Sequence, residues 1–192
     1  MLTAHDLSKR FGGKRVFERV ELAVGRGELV LVTGPNGSGK TTLLRVLAGL
    51  AAPTRGTVDL PARAEIGFLG HEPHVYRELT PLENLALFGR LYRVPEHRER
   101  SGMLLERFGL WQVRHERVSS FSRGMQQRLA LCRVLLHEPG LLLLDEPFNA
   151  LDADGAALLE RTLAELDDRA LVVASHDPAR LEPLATGRLA LS

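Results

Sequence analysis

Apolar and polar positions divide the chain into three stretches. In the first, short runs of strand length dominate. Val16 to Val24 carries β-branched residues behind a Gly12-Gly13 turn signal. Leu29-Val30-Leu31-Val32-Thr33 is a compact apolar run that ends in a glycine-rich loop. Leu43, Leu44, Leu47 and Leu50 then recur at helical spacing, which predicts a helix over Thr42–Leu50 closed by Gly49 and Pro53. Thr57–Leu60 and Glu65–Leu69 read as two more strands.

From about Thr80 to Leu136 the period is helical. Thr80-Pro81-Leu82-Glu83 is a helix start: a capping hydroxyl, proline at the first position and glutamate at the third. Leu82, Leu85, Ala86, Gly89 and Tyr92 share one face of that helix, and Gly109 and Pro139 punctuate later ones. The last stretch returns to alternation: a strand over Leu141–Leu144, a helix over about Asp154–Asp167, a strand over Leu171–Ala174 and a short tail. Fully apolar strands alternating with helices predict an α/β fold with a parallel sheet covered on both faces. The helical stretch is read as an insertion into it.

Composition narrows the classes. At 192 residues the chain is one domain by size. It carries 25 basic and 24 acidic residues, a formal charge of +1, so a domain-wide basic footprint for nucleic acid is absent. A single cysteine, Cys132, makes no internal disulfide and reads as core packing. The first residues hold His5, Asp6, Lys9 and Arg10 and do not form a secretory signal. No run of about 18 apolar residues occurs, so no membrane span is expected. Glu96-His97-Arg98-Glu99-Arg100 reads as a solvated helix face, and Trp111 as packing within the helical stretch.

Two segments carry chemistry. Gly34-Pro35-Asn36-Gly37-Ser38-Gly39-Lys40-Thr41 fits the P-loop pattern, with a strand before it and a helix after it. Its glycines let backbone N–H groups turn inward onto phosphate oxygens, and the helix N-terminus adds its positive dipole end. Lys40 supplies a charge to the β- and γ-phosphates, and the Thr41 hydroxyl is a ligand for Mg²⁺. Leu141-Leu142-Leu143-Leu144-Asp145-Glu146 is an apolar strand that ends in two carboxylates. Asp145 fits a Mg²⁺ holder of P-loop NTPases. Glu146 is expected on the other side of the strand, where it would orient water. Acidic residues also end strands for no chemical reason; the upstream P-loop decides against that reading.

These motifs and those around them resemble the ABC ATPase family over essentially the whole chain. Phe11 stands where an aromatic stacks on adenine, with Val16 behind it. His71, within Ile66-Gly67-Phe68-Leu69-Gly70-His71-Glu72-Pro73, falls at the Q-loop position. Phe121-Ser122-Arg123-Gly124-Met125-Gln126-Gln127-Arg128 stands at the signature, Asn149-Ala150-Leu151-Asp152 at the D-loop and Ser175-His176-Asp177 at the switch histidine. Two departures are plain: His71 replaces the Q-loop glutamine, and Arg123 and Met125 replace a glycine and a glutamine of the signature. A neutral imidazole offers hydrogen bonds comparable to the glutamine's; the other reading of His71 is an exposed loop histidine without a catalytic part.

The resemblance implies a P-loop parallel sheet with an antiparallel β-subdomain and an inserted helical subdomain. The core would span about 1–71 and 138–192, and the helical subdomain about 72–137. It implies binding of ATP with Mg²⁺ in a head-to-tail homodimer. Phe11, Val16, Gly34, Pro35, Asn36, Gly37, Ser38, Gly39, Lys40, Thr41, Thr42 and Asp152 would contact nucleotide, with Ser122 and Gly124 reaching across the dimer. Thr41, Asp145 and His71 would hold Mg²⁺. Glu146 would act as general base or water-orienter, with His176 and Lys40 on the γ-phosphate. The partner implied is a separate integral membrane permease, which the chain would energise from the cytoplasmic face; part of the 71–91 region would dock on it. No nucleic acid partner is implied.

The short length, Gly70-His71-Glu72-Pro73 and Leu79-Thr80-Pro81-Leu82-Glu83-Asn84-Leu85 together are similar to the ATP-binding subunit of cytochrome c maturation haem exporters. They are also similar to other short ATPases of the ABC-2 export type, which move drugs, lipids or polysaccharides. No C-terminal regulatory domain is expected after the switch histidine. Rival readings are a soluble, non-transport ABC ATPase and a nucleotide-binding module that switches without hydrolysis.

Overall fold

The computed structural model describes residues 1–192, which form eight strands and five α-helices. The strands are β1 (Leu2–Phe11), β2 (Lys14–Val24), β3 (Leu29–Thr33), β4 (Arg55–Asp59), β5 (Ile66–Leu69), β6 (Leu141–Asp145), β7 (Ala170–Ala174) and β8 (Gly187–Ala190). The helices are α1 (Lys40–Leu47), α2 (Pro81–Leu91), α3 (His97–Arg107), α4 (Arg123–Leu135) and α5 (Ala153–Ala164).

Two sheets result. Antiparallel β2-β1-β4 forms the smaller, and parallel β5-β6-β7-β3-β8 the larger. The expected α/β class, antiparallel sheet and inserted helices are all present. Two strands depart from expectation. β1 is not predicted because its alternation is broken: the register shifts between Ala4 and Leu7, between Leu7 and Lys9 and between Lys9 and Arg10, and Asp6 takes a left-handed backbone. β8 was read as tail; it is an edge strand of four residues that pairs with β3 alone. The predicted helix over Thr42–Leu50 starts and ends earlier, as α1.

The alternation along the parallel strands builds two cores. Leu29, Leu31, Leu142, Leu144, Leu171 and Val173 face one side, where α2 to α5 cover them. Val30, Val32, Leu141, Leu143, Val172 and Ala174 face the other, against α1 and the antiparallel sheet. Both sides are buried, which is why these strands are apolar throughout. A leucine in such a layer cut back to alanine costs about 2–5 kcal/mol.

The register also sets the site. Asp145 pairs with Ala174, and Val32 with Ala174. β3, β6 and β7 therefore end level with one another, and three loops leave the same edge of the sheet, where ligands of open α/β sheets bind. The helical stretch begins as expected: Thr80 Oγ1 accepts from the Glu83 N–H, and Glu83 Oε2 from the Thr80 N–H. Cys132 is fully buried beside Leu104, and burial pushes its thiol well above the ordinary range.

Candidate functional site

The loop between β3 and α1 is shaped by backbone that side chains would block. Gly34, Gly37 and Gly39 all have positive φ, and a Cβ on Gly39 would lie 2.6 Å from Val16 Cγ1. A Cβ on Gly34 would lie 2.4 Å from the Leu191 carbonyl oxygen. The loop thus closes tightly under the antiparallel sheet and opens α1 toward the sheet edge. Lys40, nearly buried, folds back across it: Nζ donates to the Gly34 oxygen at 2.8 Å and to the Pro35 oxygen at 3.3 Å.

Above this loop lies a cavity of about 600 Å³, within the range of small-molecule sites. Phe11 and Val16 line it from the antiparallel sheet, with Asn36, Gly37, Gly39, Lys40, Thr41 and Thr42 below. His71, Asp145, Glu146 and His176 complete it. Five separate polypeptide segments therefore meet at one place, as the motifs imply. His71 lies exposed in the loop after β5 and lines the cavity. Phe11 is more than half exposed, with Lys9 Nζ over its ring at 4.7 Å from the centre.

Asp145 is 1% exposed, and neither carboxylate oxygen has a hydrogen-bond partner. Burial raises its affinity for a proton. The Thr41 hydroxyl lies close enough to oppose that without forming a hydrogen bond; the Glu146 charge adds to the rise, and His71 and Lys40 oppose it. A buried, unpaired carboxylate is costly unless a cation meets it. No group of three or more His, Cys, Asp or Glu side chains is placed to hold a metal by itself. A Mg²⁺ ion needs no such cage, since it binds through one or two carboxylates together with phosphate oxygens and water. Asp145, Thr41 and His71 fit that pattern.

Glu146 lies beyond the end of β6, with left-handed backbone at φ 50° and its N–H donated to the Ala174 oxygen. The expected placement on the opposite side of the strand is corrected: strand alternation no longer applies there, and Glu146 lines the same cavity as Asp145. Its Oε2 accepts from His176 Nδ1 at 2.7 Å, and its Oε1 lies 4.0 Å from Lys40 Nζ.

Other candidates sit elsewhere. Gly34, Pro35 and Ser38 form the loop from beneath and do not line the cavity. Ser122 caps α4, its hydroxyl accepting from the Met125 N–H at 3.2 Å, and neither it nor Gly124 lines the cavity of its own chain. Asp152, expected at nucleotide, caps α5 through the Gly155 N–H and takes both oxygens to Arg128, at 2.9 and 2.8 Å. Lys14, Arg15 and Asn149 line the cavity without having been singled out as ligands. The polar tip after Gly12-Gly13 was the only sequence signal for Lys14 and Arg15, while Asn149 opens the D-loop motif.

Comparison with known proteins agrees with this geometry. The family model described as ABC transporter matches residues 17–149. The ABC transporter ATP-binding protein NatA of Bacillus subtilis is 36% identical over 195 residues, which cover 92% of this chain and 79% of NatA. The cytochrome c biogenesis ATP-binding export protein CcmA of Cupriavidus necator is 40% identical over 191 residues, covering 92% of this chain and 83% of CcmA. Other relatives at comparable identity are named for import or for drug resistance. Among solved structures, a dimeric ATP-binding cassette in a post-hydrolysis state with ADP and phosphate superposes with a TM-score of 0.86. It is 29% identical, and the match covers 100% of this chain and 94% of that one.

Proposed function

The chain belongs to the ABC transporter ATP-binding family, and on that premise we propose that it is the Mg²⁺-dependent motor of an export-type transporter that moves haem for cytochrome c maturation. ATP binding and hydrolysis follow from the family itself. No helix is long and apolar enough to cross a membrane, and subunits of this family work with membrane permeases. In our reading this chain sits on the cytoplasmic face against such a permease.

One observation carries the catalytic reading: a buried, unpartnered carboxylate on Asp145 beside a hydrogen-bonded Glu146–His176 pair, both facing the phosphate-binding loop. The adenine stacks on Phe11 against Val16. The phosphates lie on the N–H groups of the 34–39 loop and the start of α1, with Lys40 supplying positive charge. Thr41, Asp145 and His71 would hold Mg²⁺, which when bound would supply positive charge against the phosphates. Glu146 receives the proton of the attacking water as its oxygen bonds to the γ-phosphorus and ADP departs with the electron pair. His176 fixes the Glu146 carboxylate and donates to the γ-phosphate. Ser122 and Gly124 serve the nucleotide of a second copy in a head-to-tail dimer. Positioning and charge neutralisation supply most of the acceleration.

The haem reading draws on the Gly70-His71-Glu72-Pro73 and Leu79–Leu85 segments, with CcmA, at 40% identity, among the relatives. The test is to tag the chain in its host, solubilise membranes gently and identify what co-purifies. A permease recovered with cytochrome c maturation proteins is the expected result. A different permease would replace the cargo and keep the transporter; recovery without any membrane protein would overturn the transporter reading.

A further inference from the structure

At the opposite end of the parallel strands from the phosphate-binding loop lies a smaller cavity that takes no part in the chemistry above. It measures about 220 Å³ and opens between α3, the turn that leads into β6 and the end of α5. Arg100, Met103, Leu104 and Arg107 line it from one face of α3, at the spacing of helix neighbours. Met103 is 58% exposed there. Glu138 and Arg169 line it from the turns just before β6 and β7, the strands whose far ends carry Asp145 and Ala174.

Its charge is unbalanced. Arg100 pairs with Glu138 at 2.6 Å, Arg107 with Glu165, and Arg169 with Asp168 at 3.5 Å. All three arginines line the cavity, but of the three carboxylates only Glu138 does. The side chains of Arg100 and Arg169 are 22% and 18% exposed, whereas each carboxylate is 60% exposed or more. The cations thus lie inward and the anions outward. Arg169 is the most loosely held: beside the distant Asp168, its Nη1 donates to the Pro139 oxygen at 3.3 Å, a long contact. Arg100 and Arg169 hold adjacent residues, Glu138 and Pro139, so they are neighbours across the cavity. Met103, Leu104, Leu135 and Leu166 supply apolar wall beside them.

We propose that this cavity binds a small amphipathic carboxylate, its head on Arg100 and Arg169 and its hydrocarbon part against the methionine and leucine side chains. The planar fork of guanidinium donors matches a carboxylate in paired hydrogen bonds. A bare inorganic anion would leave the apolar wall in water, which a hydrocarbon part removes. A volume of about 220 Å³, against about 600 Å³ above the phosphate-binding loop, suits a short chain and not a nucleotide. Bound there, the molecule ties α3 to the turns ahead of β6 and β7. The proposal depends neither on the transporter reading nor on hydrolysis.

The test titrates the full chain with octanoate and follows the methionine methyl groups by NMR. The chain has three methionines, Met1, Met103 and Met125, so the signal of Met103 is readily assigned. It is expected to shift saturably with a Kd below about 1 mM, while those of Met1 and Met125 stay in place. Octylamine has the same chain and the opposite charge; acetate has the same head and almost no chain. Both leave Met103 unmoved at equal concentration. Arg100→Gln and Arg169→Gln raise the Kd at least about tenfold. Met103→Glu, at an exposed position, places a carboxylate one turn from Arg100 and Arg107, where it competes for the same donors. It raises the Kd likewise, read by saturation transfer from protein to octanoate, with basal ATP turnover within about twofold. That variant keeps the test decisive should an arginine variant not fold. A Met103 signal unmoved at about 10 mM octanoate, an equal shift with octylamine, or an unchanged Kd in Met103→Glu overturns the proposal.

Discussion

Nδ1 of His176 lies 2.7 Å from Oε2 of Glu146, although the two residues belong to different strands' loops. The register of β6 and β7 brings them together, since Asp145 pairs with Ala174 and each functional residue follows closely after. The imidazole is largely exposed and the carboxylate is not, so the histidine orients a group that is otherwise shielded from water. His176→Ala is expected to reduce kcat by about 10²–10⁴-fold while the KM for ATP moves only a few-fold. Stability should stay within about 0.5 kcal/mol, because an exposed side chain carries little packing. Steady-state kinetics together with urea unfolding check both statements.

Asp145 is maintained at a cost. Its buried, unpartnered carboxylate destabilises the free chain, and the isosteric amide removes that charge. Asp145→Asn is expected to raise the melting temperature of the nucleotide-free protein by about 2–4 °C, the shift that 1 kcal/mol produces at this size. The same change should cut MgATP turnover at least about 100-fold. Calorimetry without nucleotide and a phosphate-release assay read the two opposite effects.

Gly89 lies inside α2, where helix propensity alone makes Gly→Ala stabilising by about 1 kcal/mol. Here an added Cβ would stand 2.5 Å from the Cβ of His97, at the start of α3. The obstacle is not the tip of a flexible chain, so α2 and α3 must separate. Overpacking of this kind costs about 1–3 kcal/mol, and the clash is expected to win. Gly89→Ala should therefore lower the denaturation midpoint in urea.

His137 provides a pH dependence. Its ring stacks on Tyr92 with centroids 4.3 Å apart, and Nε2 donates to the Ile66 oxygen. Burial holds its affinity for a proton below the ordinary histidine value; the hydrogen bond to Ile66 opposes this, and the charges of Arg133, Arg100 and Arg169 reinforce it. As pH falls through about 6.5 the unfolded chain takes up a proton that the folded chain resists. The unfolded state then binds more protons, so stability declines on acidification until the folded value is reached. Wild-type protein is expected to lose more stability between pH 7.5 and 5.5 than His137→Gln does, measured by urea unfolding at both values.

Much of the site was legible because its chemistry is local in sequence. The 34–41 loop, Asp145 at the end of its strand and the capping box at Thr80 are each written within a few residues, and each forms where its pattern places it. What was not legible depends on departures from regular backbone or on distant contacts. The β1 strand hides its alternation behind three register shifts. Glu146 leaves strand geometry one residue after Asp145, so a period of two misplaced it. Asp152 is claimed by Arg128 and the N-terminus of α5, a contact 24 residues away that no local pattern encodes. Lys14 and Arg15 reach the cavity only because the hairpin of β1 and β2 folds over the loop at Gly39.

The most direct test of the account replaces Glu146 with glutamine, which keeps the shape and the hydrogen bond to His176 but cannot take a proton from water. Turnover and light scattering are measured together on the purified chain with MgATP. The account predicts that kcat falls at least about 100-fold and that a dimer persists as long as ATP is present. Turnover by Glu146→Gln within a few-fold of the wild type would contradict it, since Glu146 would then have no part in the reaction.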